Sequence, residues 1–294
     1  MIRPATEKGS PLSRPRSGPT VALRLLAADL RSRREAAGIT MEAAAAALGV
    51  HEMTLSRLEN ARTAPRTATV GHLLRLYGTP EPEADAVLAA LHEALQPGWW
   101  HPYRDILPAH LEGAIDLESA ASLIRTYAPG LVPELLQTPA YARELLTQRH
   151  PRAGEDEIER RLQLLHERQQ HTLHRDNPVR LWALIEETVL ARPVGSPTTM
   201  REQLEHLDQF TVHRGAVTVQ VIPAAAGAHP LLLGGPADIL RYTQCALDDR
   251  LVARGLHAEA ATLTDDLDAV RTYQAAMDIT ATLALPPTTR ITAS

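Results

Sequence analysis

The chain has 294 residues, 44% of them hydrophobic, which is enough to build two domains with filled cores. Its single cysteine, Cys245, excludes an intramolecular disulfide, and no apolar run approaches the roughly 20 residues that span a bilayer. The charge is uneven, because residues 1–80 carry 12 basic and 6 acidic side chains and the remaining residues carry 18 and 29. A basic N-terminal part on an acidic body predicts a polyanionic partner for the first part only.

The chain begins with a segment rich in proline, serine and arginine, residues 1–19. Because no apolar stretch follows the arginines, the segment does not resemble a secretory signal. It predicts a flexible basic arm, either a disordered tail or an arm that touches DNA. Together with the single cysteine and the absence of a membrane segment, it predicts a cytoplasmic, nucleoid-associated protein.

Residues 20–96 have helical spacing of apolar residues throughout and predict five short helices. Gly38 ends the first helix, Thr40 caps a second helix over residues 41–48, and a third ends near Asn60. The apolar positions are Leu23, Leu26 and Leu30; Ala44, Ala45 and Leu48; Leu55 and Leu58; Val70, Leu73, Leu74 and Tyr77; and Ala84, Val87, Leu88, Leu91 and Leu95.

The segment "QPGWWHPYRDILP" breaks this pattern, and a mixed domain over 97–285 follows, with 286–294 as a tail. Helices are predicted at 116–127, 133–149, 155–175 and 198–213, with a last helix that Thr264 and acidic residues open. Strands are predicted at 179–185, 217–223, 237–242 and 250–256. The predicted fold class is therefore mainly α, a five-helix domain followed by an α+β or α/β domain with a small sheet.

The stretch "LGVHEMTLSRLENA", residues 48–61, predicts a helix with one apolar face and an unusual polar one. Leu55 and Leu58 point inward. On the opposite side, an ordinary surface helix would carry Glu and Lys. Here that side carries Met53, Ser56, Arg57 and Asn60, flanked by Glu52 and Thr54. Such groups suit base edges, because Arg pairs with guanine, Asn with adenine, and methyl groups with thymine.

The helix before this stretch is short and alanine-rich, and Gly49 is where a left-handed residue is expected in a helix-turn-helix. "AGITMEAAAAALGVHEMTLSRLENAR" resembles the Cro/cI-type (Xre-type) helix-turn-helix family over about residues 20–78. The resemblance places Glu52, Met53, Thr54 and Arg57 at bases and Thr40, Met41, Ser56, Asn60 and Arg62 at phosphates. The sequence departs from the family pattern at Met41 (usually Gln), His51 (usually a Ser or Thr cap) and Ala61 (usually Gly).

Glu52 is an anion at the expected DNA surface, and three interpretations of it remain open. It accepts a hydrogen bond from a cytosine amino group, it repels non-specific DNA, or it pairs with Arg57.

The rest of the chain is similar to the actinobacterial WhiJ-like regulators through "PGWWHPYRDILP", "IRTYAPGLVPELLQTPAYARELL", "IERRLQLLHERQ", "LWALIEETVLARPVGSPTTMREQLEHL" and "VTVQVIPAAAGAHPLLLGGPADILRY". This resemblance implies a transcription regulator, often encoded beside a small partner protein, and it names no ligand. The leading hypothesis is a homodimer that binds double-stranded DNA and whose C-terminal domain provides dimerisation and senses a small molecule or a partner protein. An antitoxin-like protein that sequesters such a partner, with autoregulatory DNA binding, is the alternative.

Aromatic residues of the C-terminal part suggest where a ligand or partner segment would bind. A pocket of Trp99, Trp100, Tyr127, Trp182 and His229 is one interpretation, with the apolar loop 223–236 as its cover, and core packing is the other.

No reaction, cofactor or metal is predicted. Glu186 and Glu187 are adjacent and point apart, and Cys245 has no activating base nearby in the sequence. His166, His171 and His174 have spacings of five and three, less suited to a metal than pairs four apart.

Overall fold

The computed structural model describes residues 20–107, 109–212, 215–242, 249–254, 261–264 and 266–291. The basic arm over residues 1–19 and Cys245 were both singled out from the sequence and lie outside this part of the chain. So do the last residues of two predicted elements, the helix to 213 and the strand to 256.

The N-terminal domain is made of five helices, as predicted. They are α1 (Val21–Ala36), α2 (Met41–Leu48), α3 (Glu52–Glu59), α4 (Thr67–Leu76) and α5 (Glu81–Ala94). The apolar residues predicted to face inward form one core, in which Leu30, Leu55, Leu73, Leu74 and Leu91 are almost completely buried. Leu95 is the exception, because it follows the last residue of α5 and is 41% exposed. Helical spacing was therefore sufficient to locate both the helices and their buried faces.

The C-terminal domain alternates helices with strands and then ends in a helix. Its elements are α6 (Ala109–Ala120), β1 (Leu123–Ala128), α7 (Pro139–Arg149), α8 (Glu155–Leu173), β2 (Arg180–Glu186), α9 (Glu187–Ala191), α10 (Pro197–Val212), β3 (Val217–Ile222), α11 (Pro230–Gly234), β4 (Ala237–Arg241), β5 (Arg250–Arg254), β6 (Ala261–Thr264) and α12 (Leu267–Ala281). The described residues also contain three short 3-10 turns, which are His101–Tyr103 before α6, Glu134–Leu136 before α7 and Ala224–Ala226 after β3.

Within the described residues the strands form one six-stranded mixed sheet in the order β3-β2-β1-β4-β5-β6. β3, β2 and β1 are parallel, with Leu123 opposite Arg180, and β4 joins the other side of β1 antiparallel. One face of the sheet packs in a core with apolar residues of α6, α7 and α10, and the other packs against α11 and α12. The α+β prediction is confirmed.

Two strands were not expected from the sequence. The predicted helix 116–127 is wrong in its second half, because α6 ends at Ala120 and residues 123–128 form the central strand β1. Four consecutive residues of β1 are buried since helices cover both sheet faces, so the strand lacks the alternation that identifies a half-exposed strand. The second strand is β6, of which residues 261–263 were assigned to no element and Thr264 to the start of the last helix.

The start of α12 and the segment after this helix also differ from expectation. Asp266, not Thr264, is its N-cap, because the Asp266 carboxylate accepts a hydrogen bond from the Ala269 backbone N–H at 2.8 Å while Thr264 ends β6. Beyond the helix, Ile291 was assigned to a tail but is 5% exposed and belongs to the core. Its backbone N–H donates to the Asp208 carboxylate at 2.9 Å, which holds the segment on α10.

The two domains are joined through the first turn of α1. Val21 is 2% exposed and belongs to the core of the C-terminal domain rather than to the helical core, and Leu25 packs beside it. The Val21 backbone N–H donates to the Asp116 carboxylate of α6. Burial raises the pKa of Asp116 to about 6. A helix of the first domain therefore begins inside the second.

Candidate nucleic-acid interface

The α2–turn–α3 unit is fixed by local hydrogen bonds that its sequence dictates. The Thr40 hydroxyl accepts from the Ala43 backbone N–H at 3.1 Å and starts α2. Gly49 ends α2 with φ +66°, a left-handed conformation that favours glycine. His51 replaces the usual Ser or Thr cap and accepts from the Met53 backbone N–H through Nδ1 at 3.3 Å. α3 therefore begins at Glu52, with a histidine as its cap.

A buried ion pair holds the inner face of α3 against α1. Arg34 donates to the Glu59 carboxylate from Nε at 2.8 Å and from Nη2 at 3.0 Å, and from Nη1 to the Ile39 carbonyl at 3.0 Å. Both side chains are less than a tenth exposed. The hydrogen bonds that Arg34 donates to Glu59 raise the pKa of the Arg34 guanidinium despite its burial.

This pair was not identified from the sequence, although a signal for it exists. Arg34 follows Leu26 and Leu30 at helical spacing, and Glu59 follows Leu55 in the same way, so both charges fall on faces that were assigned as apolar. Opposite charges at two such positions indicate a buried pair.

The outer face of α3 carries the residues expected to contact bases. Glu52, Met53, Thr54 and Arg57 are all exposed, and Met53 is 59% exposed. A thioether left in water on a helix whose other apolar residues are buried indicates an interaction surface. Among the described residues, Glu52 forms no ion pair with Arg57, so in this structure both charges face solvent separately.

The residues expected near phosphates divide into two groups. Arg62 is exposed, and the hydroxyl of Thr40 is exposed at the start of α2. Ser56 is half-buried, and Asn60 uses its amide to donate to the Ser56 carbonyl at 2.7 Å. Met41, which replaces the usual glutamine, packs against the helical core. The side chains of Met41 and Asn60 thus contact other groups of the protein in this structure.

α3 ends in a strained position. The Arg62 N–H donates to the Arg57 carbonyl at 2.7 Å and the Ala61 N–H to the Leu58 carbonyl at 3.0 Å, the pairing that closes a helix through a left-handed residue. Gly38, Gly49 and Gly78 fill that position after α1, α2 and α4. Ala61 has φ +54°, and it alone among the described non-glycine residues has a positive φ.

Exposed arginines without acidic partners lie on α3 and in the segments that follow it, up to the last turn of α4. Arg57, Arg62, Arg66 and Arg75 are exposed, and within the part of the chain described none of them forms an ion pair. Arg66 and Arg75 were not identified from the sequence. Arg66 directly precedes α4, whose first N–H groups receive no side-chain cap, a combination that suits an anion. The sequence signal that could have identified Arg66 as a phosphate contact is its position after Pro65 and directly before a helical run.

The five residues of the proposed aromatic pocket lie in two separate clusters. Trp99 and Trp100 pack beside α6 and α8, where Trp99 stacks on His171 with ring centroids 4.7 Å apart. Tyr127, Trp182 and His229 lie on the sheet face that α12 covers. That any of these residues contacts a ligand remains a prediction, but the structure does not gather them around one space.

The carboxylates at the junction of β2 and α9, Glu186 and Glu187, position the loop that begins at residue 223. Glu186 Oε1 accepts from the Tyr127 hydroxyl at 2.7 Å and lies 2.8 Å from His229 Nε2. Glu187 accepts from the Ala224 backbone N–H at 2.7 Å. Burial, together with the bond to Glu186, raises the pKa of Tyr127. The two neighbours point in different directions, and each has a partner that explains its place.

Two family models match the chain. Residues 25–87 match a helix-turn-helix domain, and residues 111–292 match a domain described as "Domain of unknown function (DUF5753)". No curated protein and no solved structure matches. The first match confirms the predicted helix-turn-helix and indicates DNA binding. Its range contains α2, α3 and the exposed arginines Arg57, Arg62, Arg66 and Arg75. Among the described residues, no helix is both long and apolar enough to cross a membrane.

Proposed function

This chain belongs to the family of the Domain of unknown function (DUF5753), and we propose that it is a sequence-specific transcriptional regulator in which α3 reads the major groove of double-stranded DNA. The observation that carries the proposal is the outer face of α3, which has exposed Met53 and Arg57 and is followed in the chain by exposed Arg62 and Arg66, none of these arginines forming an ion pair with another described residue. Such a surface suits base edges at its centre and phosphates around it.

The contacts are those that the resemblance to Cro/cI-type domains implies, with Arg66 added because of its place before α4. Base contacts are assigned to Glu52, Met53, Thr54 and Arg57, and phosphate contacts to Thr40, Met41, Ser56, Asn60, Arg62 and Arg66. Met41 offers its backbone N–H at the start of α2 rather than its side chain, since the thioether packs inward. Two copies of the domain in a homodimer would place their α3 helices in successive major grooves of a near-palindromic site.

The remaining assignments give the two domains different roles. Residues 20–96 bind DNA in a cytoplasmic, nucleoid-associated regulator, and residues 97–285 with the packed segment after them provide dimerisation and sensing. The resemblance of the sequence to WhiJ-like regulators supports this proposal. Neither the fold nor the family match favours the antitoxin-like alternative, which stays a hypothesis from the sequence.

Selection of binding sites from random double-stranded DNA by the full-length protein tests the proposal. We expect one enriched motif with two half-sites. Arg57→Ala should cost about 1–3 kcal/mol of binding free energy and relax the preference at one base position. Arg66→Ala should weaken binding to all DNA sequences alike and reduce the slope of log binding constant against log salt concentration by about 1.

Arg201→Ala is the matched control, because Arg201 is an exposed arginine on α10 of the other domain. Its DNA affinity should equal that of the unmodified protein. Absence of any enriched motif, or full affinity and selectivity in Arg57→Ala, would contradict the assignment of α3.

A further inference from the structure

The C-terminal domain contains two adjoining cavities at the carboxyl end of β1. One, of about 120 Å³, lies between α6, α7, α8 and the sheet. The other, of about 270 Å³, lies beside the last residues of β1, the loop after it and the first residues of β4. The two share five wall residues, which are Glu118, Glu134, Gln137, Arg149 and Asp238.

This position is where the direction of the chain through the sheet reverses. From β1 the chain continues to β2 and β3 on one side and returns through β4 on the other side. In open sheets with parallel strands, ligands bind outside the carboxyl ends of strands at such a switch point. The larger cavity touches both strands there, through Thr126 and Tyr127 of β1 and Asp238 of β4.

The walls of the smaller cavity determine the kind of molecule that fits. They are mostly aliphatic side chains of three helices and the sheet, among them Leu111, Ile115, Leu145, Leu164 and Leu240. A dry apolar cavity of about 150 Å³ admits benzene, so this one suits a single small ring or a short alkyl chain. The adjoining space extends the site to a second group.

The charged residues of the walls are compensated by one another. Arg168 donates to both carboxylate oxygens of Glu118 at 2.7 Å and to Glu134 at 2.5 Å, and Arg149 donates to Glu134 at 3.2 Å. Asp238 also has an interaction partner. A charged ligand would lose its hydration without gaining an uncompensated counter-charge, whereas a hydroxyl or carbonyl group could hydrogen-bond to the network.

We propose that these cavities form a binding site for an uncharged, largely apolar small molecule with one hydrogen-bonding end, and that α6 connects this site to the DNA-binding domain. The inference rests on the proposed function for the meaning of that connection, not for the binding itself. Of the five residues in the aromatic pocket suggested by the sequence, only Tyr127 lines this space.

α6 makes the connection because it serves both sides. Leu111, Ala114, Ile115 and Glu118 lie at helical spacing and form the cavity wall. Asp116, between them in sequence, accepts the hydrogen bond from Val21 at the start of α1. A molecule that shifts α6 by filling the cavity therefore acts on the first turn of the DNA-binding domain.

The test uses the full-length protein and the uncharged fluorescent probe N-phenyl-1-naphthylamine. We expect saturable binding at one site, at least tenfold weaker in Ala114→Phe, which fills the cavity from α6. Ala114→Leu should lose about threefold and keeps the test decisive if the larger side chain prevents folding. Ala140→Phe is the matched control, because Ala140 lies on α7 but lines neither cavity, and its affinity should be unchanged.

Competition tests the chemical class. Benzyl alcohol should displace the probe, whereas benzoate and benzylamine, which have the same ring with a negative and a positive charge, should not. Absence of saturable binding, unchanged affinity in both Ala114 variants, or equal displacement by the charged compounds would overturn the proposal.

Hydrogen exchange tests the connection. With the probe bound, the backbone amides of residues 21–26 should exchange at least threefold faster or slower, and unchanged rates there would overturn the role of α6. None of these measurements uses DNA. A failure here therefore leaves the major-groove assignment intact, and a failure of Arg57→Ala to affect DNA binding leaves the probe results intact.

Discussion

Arginine has opposite uses in the two domains. Around α3, Arg57, Arg62 and Arg66 are exposed and, among the described residues, have no acidic partner. In the C-terminal domain, Arg168 is held between Glu118 and Glu134, and Arg125 pairs with Asp278. The first arrangement leaves positive charge available to a polyanion, whereas the second uses it to join helices and strands. Net charge alone does not distinguish these uses.

The largest expected effect is in the C-terminal domain. Arg168→Met should lower the free energy of unfolding by about 3–5 kcal/mol, because two carboxylates lose a buried partner. Urea denaturation at pH 7 measures it. Arg143→Met is the matched control, since Arg143 pairs with exposed glutamates of α8, and a loss below about 1 kcal/mol is expected. Equal losses in the two variants would remove the distinction between buried and exposed pairs.

The helical domain contains one arginine of the structural kind, which is Arg34. Glu59→Ala should cost about 3 kcal/mol of stability and loosen α3, because the buried guanidinium loses its bidentate partner. Urea denaturation together with hydrogen exchange in α3 measures the effect. Glu83→Ala removes an exposed partner of Arg33 and should cost less than about 1 kcal/mol. A Glu59 variant as stable as the Glu83 variant would contradict the account.

Asp116 lies at the boundary between the two regions and predicts a pH effect. Burial raises its pKa from 3.8 to about 6, so the folded protein binds more protons than the unfolded chain between about pH 4 and 6. This contribution to stability is present below pH 4 and is lost as the pH rises through 6. The decrease should be about 1–3 kcal/mol, at 1.36 kcal/mol per unit of pKa.

Asp116→Asn keeps an acceptor for Val21 but cannot titrate. The difference in the free energy of unfolding between the unmodified protein and this variant should therefore fall as pH rises from 4 to 7. A difference that does not change with pH would show that Asp116 ionises normally at the domain contact.

The smallest expected effect is at the end of α3. Ala61→Gly should stabilise the protein by up to about 1 kcal/mol, because glycine adopts φ +54° without strain, partly offset by loss of a buried methyl group. The reverse change, Gly49→Ala at φ +66°, should destabilise it by about 1 kcal/mol. Thermal denaturation of both variants measures this, and destabilisation by Ala61→Gly would mean that the methyl group outweighs the strain.

The sequence predicted the parts whose signals are local. Thr40, Gly49 and the spacing of Leu55 and Leu58 define α2, its turn and α3 within neighbouring residues, and the structure agrees. β1 was missed because a strand buried on both faces has no alternation, and a short apolar run also fits a helix.

The rest of the candidate sites depends on residues far apart in the chain. The pair of Arg34 and Glu59 joins two helices, and neither residue alone indicates a buried charge. The cavities have walls from α6, α7, α8 and β4, so no single segment contains their pattern. Grouping aromatic residues by type placed Trp99 with Tyr127, which the fold puts in different clusters.

The start of α1 has a consequence for exchanging domains. Because Val21 and Leu25 pack in the core of the C-terminal domain, residues 20–96 are not a self-contained module. Cut at residue 96, they would expose Val21 and lose its bond to Asp116. A chimaera that joins this helical domain to a different C-terminal domain would therefore need an apolar pocket for Val21 and Leu25 and a hydrogen-bond acceptor at the position of Asp116. A C-terminal domain that lacks either feature would not be a functional replacement.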